Sequence, residues 1–189
     1  MSADLITQPD EPRWGTFSTL EDNGYIYLWG HHNNNVHLAR VKPLCALDKL
    51  AYEFWDGSAY VSDWKCSVPV LTDMQHGAIY RTNMFAPEAG IKYAFIGVTR
   101  WADNGIMMGC SKSLEGPYEI FRIATATGID HPDNYMYCVY PHPWAFKEED
   151  GVVMVTWSEH WPGGVVAAKL IFEMGEATSF SLSPPATST

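Results

Sequence analysis

Short apolar or aromatic runs alternate with polar turns along the whole chain, and no segment of useful length carries a helical period. Runs of this length bounded by Gly, Asn, Asp and Pro read as antiparallel strands. The first group of expected strands is Arg13–Thr19, Tyr25–Gly30, Val36–Lys42 and Ala51–Gly57. The turns LEDNG, ending at Gly24, and HHNNN, over His31–Asn35, separate the first three. Leu44–Leu50 is long enough for one helical turn, and Ala59–Leu71, interrupted by Pro69, fits no simple element. The second group is Gly77–Phe85, Ile91–Thr99, Gly105–Ser111 and Tyr118–Ile123. The third runs from Tyr135 to Phe172, in three stretches divided by turns ending at Gly151 and Gly164. Ser179–Leu182 is a candidate fourth strand for it.

Acidic-to-Gly turns end at Gly24, Gly90 and Gly151, spaced 66 and 61 residues apart. Trp29, Val36, Ala39 and Arg40 align with Trp157, Val165, Ala168 and Lys169 with one residue inserted. A period near 60 residues with four short strands per unit is the pattern of a β-propeller blade. The fold expectation is therefore all-β, with antiparallel blades over 13–72, 73–130 and 131–174, a loose arm over 1–12 and a Ser/Thr/Pro-rich tail over 175–189. A β-sandwich with coincidental turn spacing is the alternative.

The net charge of -10 speaks against nucleic acid or an anionic membrane as partner, because both need a basic surface. No apolar run reaches the length of a membrane span. The N-terminus carries no secretory pattern, so the expected compartment is cytoplasmic for this chain as written, or extracellular for a piece of a longer protein. Cys45, Cys66, Cys110 and Cys138 lack zinc-site spacing. Cys110 and Cys138 read as buried thiols, and a Cys45–Cys66 disulfide stays open.

The runs YIYLWG, VHLARV, AYEFWDG, SKSLEGPYE, YPHPW and VTWSE resemble the five-bladed β-propellers of the furanosidase glycoside-hydrolase clan. They look most like a related propeller family of unassigned function. The resemblance spans roughly Gly24 to Phe172 and matches the C-terminal blades. It implies action on a furanose-containing, arabinan-type glycan and, near the axis, a central calcium or other cation with His142 as a candidate ligand. A His hydrogen-bonded inside the channel is the other reading of His142.

Three blades of a five-bladed ring leave two faces open. If each exposes about 600 Å² of apolar surface, leaving it wet forgoes roughly 15 kcal/mol. That rivals the net stability of a domain, roughly 5–15 kcal/mol. A fragment, a part of a larger functional unit, or self-association through the open faces is the expectation.

Candidate chemistry gathers at one mouth. His31, His32 and Asn33, Trp101, and His160 and Trp161 fall in the turns that such blades place on one rim, and Arg81 and Tyr140 come from the inner strands. Aromatic faces stack on sugar C–H surfaces, while amides, imidazoles and guanidinium hydrogen-bond hydroxyls. Glycoside hydrolysis needs two facing carboxyl groups. Glu159 is the best-placed acid, with Asp103 second. Against this, Glu159 also reads as an exposed turn residue, Asp103 as part of an Asp-Asn-Gly hairpin turn, and Arg81 as the partner of Glu88 or Asp73. The inner strands 77–85 and 137–146 hold no Asp or Glu. Three functions follow: a glycosidase-like enzyme, a noncatalytic carbohydrate-binding or assembly module, or a non-hydrolytic enzyme on a small molecule.

Overall fold

The computed structural model describes residues 9–99, 104–126, 135–147, 150–159 and 163–172. These form three antiparallel sheets in chain order, with 3-10 turns of three residues as the only helical elements among them. The first sheet contains β1 (Arg13–Asp22), β2 (Tyr25–His32), β3 (Asn35–Val41), β4 (Glu53–Trp55) and β5 (Tyr60–Val61), with β6 (Pro69–Thr72) pairing back onto β3. The second contains β7 (His76–Arg81), β8 (Tyr93–Val98), β9 (Gly105–Ser111) and β10 (Glu119–Thr125). The third contains β11 (Met136–His142), β12 (Val152–Glu159) and β13 (Gly164–Ile171).

Turn chemistry sets the hairpins. Asn23 and Gly24 both have positive φ, 49° and 77°, which gives the tight turn whose twist matches the strands. Asn33 and Asn34, at 48° and 64°, do the same between β2 and β3. The expected five-residue HHNNN turn thus shrinks to two residues, and its histidines belong to β2.

The sheets stack face to face, with β1 against β7 and β7 against β11. This is a partial β-propeller whose inner strands are β1, β7 and β11. Strand β10 of the central sheet is largely exposed, whereas β7 to β9 are buried on both faces, and β8 shows how. Tyr93 and Phe95 point to the first sheet, where they meet Phe17, Trp29, Val36 and Leu38. Ala94, Ile96 and Val98 point the other way, onto Val139, Val153, Val155 and Trp157 of the third sheet. A two-residue alternation of two apolar sets is what a strand needs when both of its faces are covered. Trp29 and Trp157 lie in these interfaces, fully buried and nearly so, while Trp55 is half-buried against Tyr60. The open side of the third sheet is different: Tyr140, Val165 and Ile171 are 50%, 76% and 73% exposed.

Several elements depart from the sequence expectation. Gly77–Phe85 contributes a strand only over His76–Arg81, with Thr82 N–H to Lys92 O as a last rung beyond it. Ala51–Gly57 shortens to three residues because the chain folds into a β4–β5 hairpin. The unparsed stretch after it makes that hairpin, a 3-10 turn at Trp64–Cys66 and then β6, with Pro69 as its first residue, where a missing N–H is tolerated. Leu44–Leu50 carries 3-10 turns at Pro43–Cys45 and Lys49–Ala51 rather than one helical turn. The third sheet has three strands among the described residues, and Ser179–Leu182 lies outside them.

Candidate functional site

All three inner strands run the same way, so the fold has two distinct rims. Where they begin, His31, His76 and Cys138 come close to one another; where they end, Asp22 meets Arg81. Arg13 and Met136 at the strand starts pair with His31 and Glu159, the late residues of β2 and β12.

The N-terminal rim is built from the β2–β3 hairpin, the 73–75 turn and the start of β11. Thr16 Oγ1 sits 3.2 Å from His31 Nδ1 and accepts the His31 N–H at 3.3 Å. Phe17 packs its edge on the same imidazole. Asn33 Nδ2 donates to His32 Nε2 at 2.9 Å. Gln75 Nε2 donates to Asn34 Oδ1 at 3.3 Å, and Asp73 N–H donates to Asn34 O. Met136 N–H donates to Asn104 Oδ1 at 2.7 Å, tying the third sheet to the second. Tyr137 lies edge-on to His76, with ring centroids 4.9 Å apart.

Burial lowers the basicity of His31 and His76 here. It pushes His31 below the usual imidazole range, although the backbone carbonyls of Met74 and Gln75 pull the other way. His76 is lowered by burial and by the neighbouring His31. His37 is lowered to about 4 by burial and by His32, against the opposing contact with Ser67. At neutral pH these three imidazoles are therefore neutral donor–acceptors, not cations.

Of the residues expected on one mouth, His31, His32, Asn33 and Glu159 do lie on this rim. Arg81, Tyr140 and His142 do not, because only the start of an inner strand reaches it. Arg81 ends β7 on the opposite rim and binds Asp22 Oδ1 at 2.7 Å, in place of Glu88 or Asp73. Tyr140 and His142, late in β11, stand on the open side of the third sheet, in register with Thr156 and Met154. Trp101, Asp103, His160 and Trp161 lie outside the described residues.

His142 stands among polar and aromatic side chains. Its Nε2 is hydrogen-bonded with Thr156 Oγ1 at 2.8 Å, and the rings of Tyr140 and Trp144 flank it. Among the described residues no three His, Cys, Asp or Glu side chains gather in a way that would hold a metal ion. No helix among them is long and apolar enough to cross a membrane. Sequence reasoning missed His76, Gln75, Tyr137 and Cys138 as rim residues. The signal that finds them is a polar residue at the first positions of an inner strand.

A solved structure, described as a "putative hydrolase" from Bacteroides ovatus, superposes on 76% of the chain with TM-score 0.53 and 17% identity. The two share a fold. The chain spans 38% of the length of that structure. A bifunctional GH43-CE protein from Bacteroides eggerthii matches 84% of the chain and 18% of its own length, at 15% identity and TM-score 0.47. An engineered GH43 glycoside hydrolase with both endo-xylanase and exo-arabinofuranosidase activity matches 88% of the chain and 40% of its own, at 12% and 0.39. These two scores are too low to add weight. No family model matches the chain, and no curated protein matches it.

Proposed function

We propose that this chain is part of a glycoside-hydrolase-like propeller and binds a furanose-containing, arabinan-type glycan across the N-terminal rim. The observation that carries the reading is the character of that rim: the His32 imidazole, the side-chain amides of Asn33, Asn34 and Gln75, and a partly exposed tyrosine, in an acidic protein. Neutral donor–acceptor groups suit sugar hydroxyls and offer little to a phosphate or carboxylate. The partly exposed ring of Tyr137 is the aromatic surface on which sugar C–H groups would stack.

A noncatalytic role is favoured by a second observation. Strands β7 and β11 carry no carboxylate, and Asp22 of β1 is committed to Arg81 and Tyr93 on the other rim. Glu159 is the first acid to test on this reading, ahead of Asp73 in the 73–75 turn. Hydrolysis of aryl arabinofuranosides and arabinan, assayed for wild type and Glu159→Gln, separates the two roles. Loss of turnover in Glu159→Gln supports catalysis through that residue. Saturable glycan binding without turnover in either protein supports the binding module. Neither binding nor turnover removes the glycan and points to an unrelated small molecule.

A further inference from the structure

Cys138 occupies a built position, not an incidental one. Strand β11 pairs Tyr137 with Ser158 and Tyr140 with Thr156, so three steps on β11 match two on β12. One residue is extra, which defines a β-bulge. Cys138 is in the left-handed backbone region, with φ of 54°. The bulge resets the alternation, so that Met136 and Val139, three residues apart, both enter the core between the second and third sheets. It also turns the Cys138 side chain toward β7, where Sγ lies 3.8 Å from His76 Nδ1. An unbranched thiol in a conformation that strains an L residue is an arrangement bulges use to re-aim a functional side chain.

We propose that Cys138 and His76 form a thiol–imidazole pair that makes Cys138 the preferred site of thiol–disulfide exchange with low-molecular-weight disulfides. With the ring proton on Nε2, the Cys138 S–H donates to His76 Nδ1. In the exchange that S–H bond breaks and its proton passes to Nδ1. Sγ attacks one sulfur of the disulfide, a new S–S bond forms, and the old one breaks with its electron pair on the departing sulfur. The departing thiolate takes the proton back from His76. One thiol and one disulfide give one mixed disulfide and one thiol, so no outside oxidant is needed.

The other cysteines set the comparison. Cys110 is buried in the sheet interface, and burial pushes its thiol up to about 12, which leaves it inert. Cys66 is exposed, and Cys45 is half-buried. Access alone would make Cys66 the first to react. Around Cys138 the titratable groups are His76 on β7, His31 on β2, Tyr137 on its own strand and Glu159 near the end of β12. His76 is kept neutral by burial and by His31, so it acts as a proton acceptor rather than a standing cation. The inference stands apart from the glycan reading, although a mixed disulfide at Cys138 places its bulk on the N-terminal rim.

The test treats the folded full chain with oxidised glutathione and quantifies adducts at Cys138 and Cys66 in the same molecule by peptide mapping. At pH 7 the wild type is expected to modify Cys138 at least about tenfold faster than Cys66, below the roughly 10²–10⁴-fold that a well-positioned proton acceptor contributes. His76→Asn and His76→Gln are expected to bring the Cys138 rate down to that of Cys66 without changing the Cys66 rate, which reports an intact fold. Acid that protonates His76, whose basicity burial lowers, removes the Cys138 advantage in the wild type. A wild-type Cys138 rate no faster than that of Cys66 overturns the proposal without any variant. So does an unchanged ratio in both His76 variants.

Discussion

Arg81 closes on Asp22 across the interface between the first two sheets, Nη2 to Oδ1 at 2.7 Å, 59 residues apart in the chain. The Tyr93 hydroxyl donates to the other carboxylate oxygen, so one acid joins two sheets. Burial pushes the Asp22 carboxyl up, but the Tyr93 and Arg81 hydrogen bonds, the Arg81 charge and the Asn23 N–H outweigh it and hold it below the usual range. The Asp22 carboxylate is 10% exposed and Arg81 55%, so solvent screens the pair from one side. Arg81→Met is expected to cost up to about 1 kcal/mol by denaturant unfolding. A lowered folded pKa gives stability that is present above the ordinary Asp range and is lost as pH falls through the folded value. Asp22→Asn should therefore flatten the stability profile below about pH 4, with little change in its slope between pH 5 and 8.

Gly97 is required by a close approach. A Cβ there would fall 2.2 Å from His76 O and 2.9 Å from the Gly77 Cα, its cross-strand partner. Neither contact can yield without shifting β7, which holds His76 on the rim. Gly97→Ala is expected to destabilise by about 1–3 kcal/mol. At Gly164 a Cβ would meet nothing within 4 Å, so Gly164→Ala should stay within about 0.5 kcal/mol. Equal effects at the two glycines in thermal unfolding would contradict the close approach.

His37 gives the fold an acid-side dependence. Its side chain is buried, hydrogen-bonded with Ser67 Oγ at 3.0 Å, and lowered to about 4. The unfolded chain takes up this proton near pH 6.5 and the folded chain only near pH 4, so stability is full above 6.5 and falls as pH drops between them. The loss reaches on the order of 3 kcal/mol. His37→Gln, which removes the titration, should reduce the slope of stability against pH in this window. An unchanged slope would assign the acid sensitivity to other groups.

Much of this fold was legible in the residues because its turns and core alternation are local. Gly24, Gly90 and Gly151 all have positive φ, and each closes a turn in its own repeat, so their spacing marked the units. Trp29 and Trp157 stood out because a large aromatic at the same register of two repeats belongs between sheets. The return of β6 onto β3 was hidden, since pairing across some thirty residues leaves no local trace. The β11 bulge was hidden for the same reason: only the count on β12 reveals the extra residue. The rim was half legible. The β2–β3 hairpin showed its polar residues, but assigning Arg81 or His142 to a rim needs the end of the strand, and the predicted β7 ran on to Phe85 where the real one stops at Arg81.

The open side of the third sheet bears on assembly. Val165 and Ile171 stand on the face of β13 turned away from the core, beside Tyr140. Further blades of a larger propeller would cover this side, and for the chain alone self-association through it is the expectation to test. Light scattering after size exclusion is expected to give a dimer for the wild type and a monomer for Val165→Glu combined with Ile171→Glu. A monomeric, fully folded wild type would contradict self-association.

The glycan site rests most directly on a calorimetric titration of the full chain with arabino-oligosaccharides, compared across the two rims. Saturable binding is expected, and His32→Ala combined with Asn33→Ala should weaken it at least tenfold, about 1.4 kcal/mol. Trp144→Ala, far from that rim, should leave it unchanged. No binding to the wild type, or binding lost in Trp144→Ala and kept in the rim variant, would contradict it.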